Sequence, residues 1–399
     1  MGHMMATVLP DAALTDFPPS LTERVNTPCY LVSAAAIRRN CRTLAAVRRA
    51  TGAKILLALK AFALPAVFPL IRHYLDGVCA SGPIEAQLGR EDFGGEVHTY
   101  APAYSDRQME RVIAFSDHIL FNSLGQWRQH QSAIDRATAS GRHIQIGLRV
   151  NPGYSEVATP LYNPCRPGSR FGLLPEEMRE ADLSGISGLH FHALCEQGAD
   201  VLARVLAHFE EKFAPYLDKM IWVNFGGGHH ISRADYDVDL LCQTIQDFRA
   251  RHNNIQVYLE PGEAVVLNAG VFVTSVLDVL ERQPPIVILD CSAETHLPDV
   301  LAMPYRPHII GGDEGGKLAH SYNLGGISCL AGDVFGDYSF ARPLKTGDRL
   351  VMTDMALYSF VKNTTFNGVE LPEIYLVDES GAAQSVRRFT FDDYRGRIA

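Results

Sequence analysis

The sequence predicts an α/β protein, a (β/α)8 barrel of the TIM type joined to a second, β-rich domain. Between Tyr30 and Val266, short apolar runs alternate with amphipathic stretches of helical period. After this segment the helical period is lost, and strand-like runs are separated by glycine, proline and aspartate turns. These observations place the barrel over 34–266 and the β-rich domain over 5–33 and 267–399.

Eight apolar runs of strand length are the predicted barrel strands, and amphipathic helices separate them. The strands are Ile55–Leu59, Gly77–Ala80, Val97–Tyr100, His118–Asn122, Ile144–Val150, Gly188–His192, Trp222–Phe225 and Ile255–Leu259. The clearest helical patterns are Ala34–Arg49, Asp106–Phe115, Gly125–Ser140 and Asp200–Tyr216. Eight parallel strands close a TIM barrel, although an open doubly wound sheet produces a similar alternation.

The C-terminal part is predicted to be mostly sheet. Its strand-like runs are "GVFVTSVLDVLE", "IVILDCSA", "GDRLVMTDM" and "ALYSFVK". The tail after Glu370 is polar and irregular except for "EIYLV". The chain contains neither an internal repeat nor a low-complexity tract.

Composition excludes several function classes. The chain has 399 residues, 47% hydrophobic and 20% charged, as is typical of soluble globular proteins. Its net charge of −9 argues against a general binder of nucleic acid or anionic membranes, and no apolar run is long enough to span a membrane. The start, Met1–Met4, resembles a cloning scar rather than a signal peptide. The 8 cysteines form no CxxC pair, so we expect neither a zinc site nor disulfides, and a reducing cytoplasm as the location.

Several residues with functional chemistry stand at the predicted C-terminal strand ends, where TIM barrels place their sites. These are Lys60 after the first strand, His190 and His192 at the sixth, Gly226–Gly228 after the seventh and Glu260 after the eighth. Each has a structural alternative: the lysine could extend to solvent, the histidine could be a core residue, the glycines a tight turn and the glutamate a cap. Together they suit pyridoxal phosphate, because the glycines would let backbone N–H groups approach a phosphate.

Motifs along most of the chain resemble a known family. They are "TPCYLV", "LALKAF", "RVNPG", "SRFG", "HFHALCE", "NFGGGHH", "LEPGEAVV", "CLAGDVFGDYSF" and "DMALYSFV". Over about Thr27 to Asn367 the chain resembles the pyridoxal-phosphate-dependent decarboxylases of the alanine-racemase-like fold (fold type III), which include diaminopimelate, ornithine and arginine decarboxylases. Through "EPGEA", "HLPDVLAMPYRP" and "LGGISCLAGDVFGDYSF" it is similar to the branch of this family that acts on carboxynorspermidine and carboxyspermidine in polyamine biosynthesis.

The resemblance implies a role for each strand-end residue. Lys60 matches the family's Schiff-base lysine, and we expect a water-excluded amine there because desolvation lowers the pKa of a lysine. The other matched positions would bind the cofactor: Glu260 at the pyridine nitrogen, His192 on the ring face, Gly226, Gly227, Gly228 and Tyr358 at the phosphate, and Arg149 beneath the ring.

A second catalytic residue is implied in the β-rich domain. Cys329, in "SCLAGD", matches a cysteine that in relatives enters the active site of the partner subunit and helps to protonate the product. The alternative is a buried structural cysteine, normally the commoner case. Asp333 lies in the same loop and would contact a substrate amine. The resemblance therefore implies a homodimer with shared active sites.

Charge points to a cationic amino-acid substrate. In ornithine- and diaminopimelate-type relatives an arginine follows "EPG", whereas this chain has Glu263. With Asp299 and Asp290, this residue would line a cleft that favours ammonium groups and repels the distal carboxylate of diaminopimelate. The alternative is that these acids pair with Arg306 or Lys317 and never meet the substrate.

Other functions on this fold stay open. Ornithine, lysine or diaminopimelate decarboxylation uses the same chemistry, and a non-catalytic pyridoxal-phosphate-binding protein is a different class. Alanine racemisation needs a second base opposite the lysine, and both Glu260 and the "SCLAGD" loop count against it. Spacing leaves open whether Asp313 and Glu314 line the channel. The sequence also does not separate the two triamine precursors, which differ by one methylene.

Overall fold

The structure, a computed structural model, describes residues 15–179, 181–303 and 305–399. The chain divides into two compact units, Arg39–Val265 and a second unit that joins the segment up to Arg38 to Val266–Ala399. The interpretation of Met1–Met4 and the assignment of 5–14 to the β-rich domain lie outside the described residues. Over the part of the chain that is described, no helix has the length and apolar character needed to cross a bilayer.

The first unit contains the predicted barrel. The first strand of the chain, β1 (Cys29–Ser33), belongs to the other unit, and the next eight close on themselves, each parallel to its neighbours. The barrel strands are β2 (Lys54–Ala58), β3 (Gly77–Ala80), β4 (Glu96–Tyr100), β5 (His118–Phe121), β6 (Gln145–Arg149), β7 (Gly188–His190), β8 (Trp222–Asn224) and β9 (Gln256–Leu259). The barrel prediction is confirmed, and the open doubly wound alternative is excluded because β9 pairs with β2.

Helices alternate with these strands, and three of them begin at side-chain caps. Those of at least five residues are Ala34–Thr51, Phe68–Arg72, Pro83–Leu88, Asp106–Phe115, Leu124–Ala139, Ala199–Leu217 and Val238–Arg251. Shorter ones are Pro175–Met178 and Glu263–Val266. Ser105, Ser123 and Asp237 each accept a hydrogen bond from a first-turn backbone N–H, which satisfies donors that a helix start leaves free.

Trp222 fills the barrel interior. A Cβ atom added to Gly147 or Gly188 would lie 2.3 or 2.1 Å from its ring, so both positions require glycine. The ring packs in a buried cluster with Leu56, Leu120 and Tyr258. Because strand residues alternate in direction, the residues two positions further along the same strands point to the same side, at the C-terminal mouth.

The second unit is built on a nine-stranded mixed sheet in the order β12-β14-β13-β11-β10-β1-β16-β17, with β15 also paired to β10. The strands are β10 (Gly270–Leu280), β11 (Ile286–Leu289), β12 (Gly312–Glu314), β13 (His320–Gly325), β14 (Val334–Phe340), β15 (Arg349–Thr353), β16 (Glu373–Val377) and β17 (Ala383–Arg387). Its helices are Pro19–Thr22, Ala293–His296, Asp299–Ala302, Ser359–Lys362 and Phe391–Ile398.

One predicted strand of this unit is wrong. "ALYSFVK" forms no strand: its second half is the helix Ser359–Lys362, entered through Tyr358 at a φ of 37°. Short apolar runs are compatible with either type of element, and a positive φ is incompatible with a continuous strand. The tail is also more ordered than predicted, because it carries β17 and the helix Phe391–Ile398.

Candidate active site

Two polar residues converge on the carboxylate of a third at the C-terminal mouth of the barrel. Glu260 directly follows β9, while His190 and Asn224 end β7 and β8. Oε1 of Glu260 accepts a 2.7 Å hydrogen bond from Nδ2 of Asn224, and Oε2 lies 3.3 Å from Nε2 of His190. Parallel strands thus bring residues 70 positions apart together, as the sequence analysis predicted for this end of the barrel.

The Glu260 carboxyl is held as a carboxylate. Burial alone would raise its pKa, but the interactions with His190 and Asn224 outweigh burial and lower the pKa to about 2. Burial lowers the pKa of His190 in spite of the neighbouring carboxylate. A neutral His190 can donate Nε2–H to Glu260, while its Nδ1 is buried and has no hydrogen-bond partner among the described residues. The mouth therefore presents a half-buried anion suited to a protonated ring nitrogen.

His192 presents a neutral imidazole ring beside this anion. Its Nδ1 accepts a 2.8 Å hydrogen bond from the N–H of Gly227, so the neutral ring carries its proton on Nε2. Burial, followed by the positive charges of Lys60 and Arg149, lowers the pKa of His192 well below its usual value. The residue is half-buried, and a neutral flat ring of this kind can stack on a heterocycle.

The glycine turn is required by close packing. An added Cβ would lie 2.5 Å from Phe191 O at Gly226, 2.4 Å from Glu260 O at Gly227 and 2.0 Å from Leu194 O at Gly228. Gly226 and Gly228 also have positive φ values of 72° and 84°. The glycines therefore have a packing reason that the sequence did not reveal.

The expectation that all three glycine N–H groups bind a phosphate needs correction. The N–H of Gly226 donates to Oδ1 of Asn224 at 2.8 Å, and that of Gly227 donates to His192. Only the Gly228 N–H of this triplet has no acceptor among the residues that the structure describes. A phosphate at this turn would need further donors.

Lys60 is exposed, which contradicts the expectation of a water-excluded amine. Strand β2 ends at Ala58, and Lys60 follows in a turn between the buried residues Leu59 and Ala61. The turn directs the side chain out of the packed layer, so strand-end position alone does not desolvate it. Its charge nevertheless acts on the site, because it contributes to the lowered pKa of His192.

Arg149 ends β6 and is buried. Its guanidinium carbon lies 4.6 Å from the ring centre of Tyr100 and 4.5 Å from that of Phe171. One of its terminal nitrogens donates a 3.4 Å hydrogen bond to the backbone oxygen of His192. Arg149 therefore lies next to the segment that carries His192, between two aromatic rings.

Glu263 is paired, but with neither predicted partner. Its Oε2 lies 2.9 Å from Nε2 of His230, and both side chains are buried. Lys317 instead pairs with Asp313 and Glu314, at 3.5 and 3.0 Å. Arg306 donates to the backbone oxygen of Asp337 at 2.8 Å.

In the second unit, Cys329 is exposed and is not part of a disulfide. Its backbone N–H donates to Oδ1 of Asn367 at 2.7 Å. The structure therefore excludes the interpretation of Cys329 as a buried structural residue. Tyr358, half-buried, has Nζ of Lys362 5.2 Å from its ring centre, and the same Nζ lies 2.6 Å from Asp299. Asp299 is thus ion-paired within its own unit.

Asp290 has a structural explanation that the sequence analysis did not anticipate. Its carboxylate accepts hydrogen bonds from the hydroxyls of Thr27 and Thr274, both at 2.6 Å, and from the N–H of Ser275 at 2.9 Å. These bonds tie the end of β11 to β10 and to the segment before β1. Substrate contact by Asp290 is not needed to explain this residue.

Asp333 is likewise committed to the backbone. It is buried, and its oxygens accept from the N–H groups of Ala293 at 2.7 Å, Glu294 at 3.2 Å and Ser328 at 3.0 Å. The carboxylate thus connects the start of the helix Ala293–His296 to the loop that carries Cys329. These bonds give Asp333 a loop-positioning role, and its contact with a substrate amine stays a prediction.

The sequence analysis missed Asn224 and His230. Asn224 lies in the motif "NFGGGHH" and is fully buried at a strand end. A buried asparagine at such a position indicates a hydrogen-bond network. His230 is the second residue after the glycine triplet in the same motif. Its partner Glu263 is 33 positions away, so no local pattern reveals the pair.

A second polar cluster lies at the opposite end of the barrel. Glu96, His98 and His118 are the group of metal-ligand type found among the described residues. The two histidine rings stack 3.8 Å apart at 22°, so their in-plane lone pairs run nearly parallel. Glu96 is already engaged by Lys54 and by the hydroxyl of Tyr258. We interpret the cluster as a group of polar side chains that closes the N-terminal end of the barrel.

The mouth residues fit pyridoxal phosphate. A half-buried carboxylate, a neutral imidazole and a lysine amine stand at one barrel end, matching a ring nitrogen, a ring face and an aldehyde. This fit rests on the donor set and its protonation.

Comparison with known proteins gives consistent results. The family profile described as "Pyridoxal-dependent decarboxylase, C-terminal sheet domain" matches residues 29–356. A carboxynorspermidine/carboxyspermidine decarboxylase from Campylobacter jejuni is 42% identical over 383 residues, covering 93% of this chain and 98% of the relative. A carboxyaminopropylagmatine decarboxylase from Synechocystis is 38% identical over 399 residues, covering 100% of both chains.

Solved structures agree with these relatives. The crystal structure of carboxynorspermidine decarboxylase from Campylobacter jejuni, complexed with norspermidine, has a TM-score of 0.85 and 40% identity, covering 94% of this chain and 100% of that one. Diaminopimelate decarboxylase from Helicobacter pylori, complexed with L-lysine, has a TM-score of 0.80 at 17% identity, with 95% and 98% coverage. The latter likeness shows the fold alone.

Proposed function

The chain belongs to the pyridoxal-dependent decarboxylases, and from this premise we propose that it decarboxylates carboxynorspermidine and carboxyspermidine, yielding norspermidine and spermidine in polyamine biosynthesis. Relatives bearing that name are 42% and 36% identical to it. The structural observation that carries the proposal is the half-buried, ionised Glu260 at the barrel mouth, bonded to Asn224 and His190.

Glu260, His192 and Arg149 would hold the cofactor. When bound, pyridoxal phosphate supplies an electron sink for the pair left on Cα after carbon dioxide departs. The Glu260 carboxylate would keep a proton on the ring nitrogen, because a buried anion stabilises an adjacent cation. His192 would orient the ring through its face, and its own orientation is fixed by the Gly227 N–H.

Lys60 and Cys329 are the residues that we assign to bond-making and proton transfer. Lys60 Nζ would engage the cofactor's aldehyde carbon and give way to the substrate's α-amine. The Cys329 thiol would donate the proton that replaces the carboxyl group on Cα. Its exposure supports delivery to another protomer, and we propose a cytoplasmic homodimer in which each site takes its cysteine from the partner.

The acidic residues proposed to bind the cationic substrate differ in their burial and in their partners. Asp299 is half-buried and has the exposed Lys362 as counter-ion, and we propose that a substrate ammonium exchanges with that lysine. Glu263 is buried against His230, which suggests another role. Substrate contacts by Asp290 and Asp333 stay predictions, with the internal hydrogen bonds described above as their alternative.

A second candidate substrate is carboxyaminopropylagmatine, because the Synechocystis relative matches over the full length of both chains. The substrate panel that separates the candidates contains carboxynorspermidine, carboxyspermidine, carboxyaminopropylagmatine, ornithine, lysine and diaminopimelate. We expect the highest kcat/KM for carbon dioxide release with the first two. Higher kcat/KM with carboxyaminopropylagmatine would establish the second candidate, and higher values with diaminopimelate or lysine would refute both.

A further inference from the structure

The pair Glu263–His230 lies beside the glycine turn and has no assigned role. His230 follows Gly228 by two residues and is 8% exposed. Its Nε2 is bonded to Oε2 of Glu263 at 2.9 Å, while its Nδ1 is buried with no hydrogen-bond partner among the described residues. An unsatisfied buried N–H is unfavourable by about 1–3 kcal/mol, and more if it is charged, so this atom calls for an acceptor.

The glycine turn is short of donors for an anion. Asn224 and His192 occupy two of its three N–H groups, and the Gly228 N–H alone points to no described acceptor. Position 263 carries a carboxylate, which offers no positive charge to an anionic group. His230, bonded to that carboxylate, is the residue near the turn that can carry a positive charge.

The charges around His230 favour its imidazolium form. Burial lowers its pKa, but the hydrogen bond and charge of Glu263 and the charge of Glu196 raise it more, against an opposing effect of Arg233. Arg233 is itself bonded to Asp235. The adjacent His229 differs, because burial lowers its pKa to about 4 and leaves it neutral.

We propose that His230, held as an imidazolium by Glu263, donates its Nδ1–H to the phosphate of the cofactor at the glycine turn. The inference rests on the proposed function, since it requires pyridoxal phosphate at the barrel mouth. It assigns Glu263 a cofactor-positioning role in place of substrate recognition. Charge-assisted hydrogen bonds to phosphate are the strong class of such bonds, so the pair would contribute substantially to cofactor retention.

The test compares two ligands on the full chain stripped of cofactor: pyridoxal phosphate, and pyridoxal, which lacks the phosphate. The measured quantity is the affinity for pyridoxal phosphate divided by the affinity for pyridoxal. In His230→Gln we expect this ratio to fall about tenfold to a hundredfold, with pyridoxal binding unchanged. The matched control is His252→Gln, because His252 forms a comparable pair with Glu210 at 2.7 Å on the surface helices. There the ratio should stay at the wild-type value.

The pH dependence gives an independent readout that does not depend on His230→Gln folding. In the wild type the affinity ratio should fall as the pH rises through the raised pKa of His230, because the imidazolium exists only below it. In Glu263→Gln the fall should begin at lower pH. The phosphate is a dianion above about pH 7, so its own titration does not change the affinity ratio in that range.

An unchanged ratio in His230→Gln, or a pH profile that Glu263→Gln does not shift, would overturn the inference while leaving the proposed function intact. Equal loss of both ligands would also overturn it, by showing that His230 supports the fold and not the phosphate. A wild type that binds neither ligand and releases no carbon dioxide would instead refute the proposed function.

Discussion

Asn224 ties the candidate catalytic carboxylate to the glycine turn: its Nδ2 donates to Glu260 at 2.7 Å, and its Oδ1 accepts from the Gly226 N–H at 2.8 Å. The residue is fully buried, so neither bond can be replaced by bulk water. One side chain therefore fixes both the anion and the backbone beside it.

The substitution Asn224→Asp should make the protein's stability strongly pH-dependent. It keeps an acceptor for Gly226 but places a second carboxyl within hydrogen-bond distance of Glu260, and two such groups cannot both ionise cheaply when buried. The shared proton raises the pair's upper pKa above the unfolded value, so the variant is least destabilised at low pH and loses stability as pH rises. Urea unfolding at pH 5.5 and 8 measures this. Equal destabilisation at both pH values would contradict the network.

The backbone close to Gly228 gives a second prediction, with a built-in control. Gly228 and Gly141 both have a positive φ, 84° and 98°, but only Gly228 has an atom near the added Cβ, Leu194 O at 2.0 Å. Gly141→Ala should lower the free energy of unfolding by about 1–2 kcal/mol, the usual effect of the left-handed conformation. Gly228→Ala should lower it clearly more and also weaken cofactor binding. Similar unfolding free energies for the two variants would show that the turn is not tightly packed.

Sequence reasoning was most successful where one local pattern determines the outcome. The helix Asp106–Phe115 was predicted to the residue, and the barrel strands to within about two residues, because apolar runs and caps are local signals. "ALYSFVK" failed because four to seven apolar residues suit a strand or a helix equally, and only the strained Tyr358 decides.

Within the site, sequence reasoning predicted that Glu260 meets the strand-end histidine His190, but it missed Asn224 and His230. Glu260 and the strand-end histidines were placed correctly by barrel topology. The partners of Glu263 and Asp333 could not be predicted, because they lie 33 and 40 positions away and depend on loop paths. The exposure of Lys60 depends on where β2 ends, and strand ends are the least certain part of any prediction from sequence.

The shared active site gives a third prediction, tested by subunit mixing. Lys60→Ala and Cys329→Ala should each be inactive as pure proteins. If each site takes its cysteine from the partner, a mixed dimer contains one site with both native residues. Statistical mixing then restores about a quarter of wild-type activity, since half the dimers are mixed and half their sites are intact.

Carbon dioxide release after co-refolding the two variants measures this outcome. A mixture of Lys60→Ala with itself, refolded in parallel, is the control. No recovery in the mixed sample, with both variants folded and each inactive alone, would show that Lys60 and Cys329 act within one chain. Activity of pure Cys329→Ala would instead show that Cys329 is not catalytic.

The most direct test of the account is the visible absorbance of bound pyridoxal phosphate in Lys60→Ala and in Lys54→Ala. Both lysines lie at β2, Lys54 at its first residue and Lys60 just beyond its last, but only Lys60 is at the C-terminal mouth. We predict that the free energy of unfolding of Lys60→Ala lies within about 0.5 kcal/mol of the wild-type value, because the side chain is exposed. The variant should nevertheless lose the lysine-linked absorbance and all turnover. Lys54→Ala should keep both. Full absorbance and carbon dioxide release in Lys60→Ala would contradict the assignment of this amine to the cofactor, and with it the proposed mechanism.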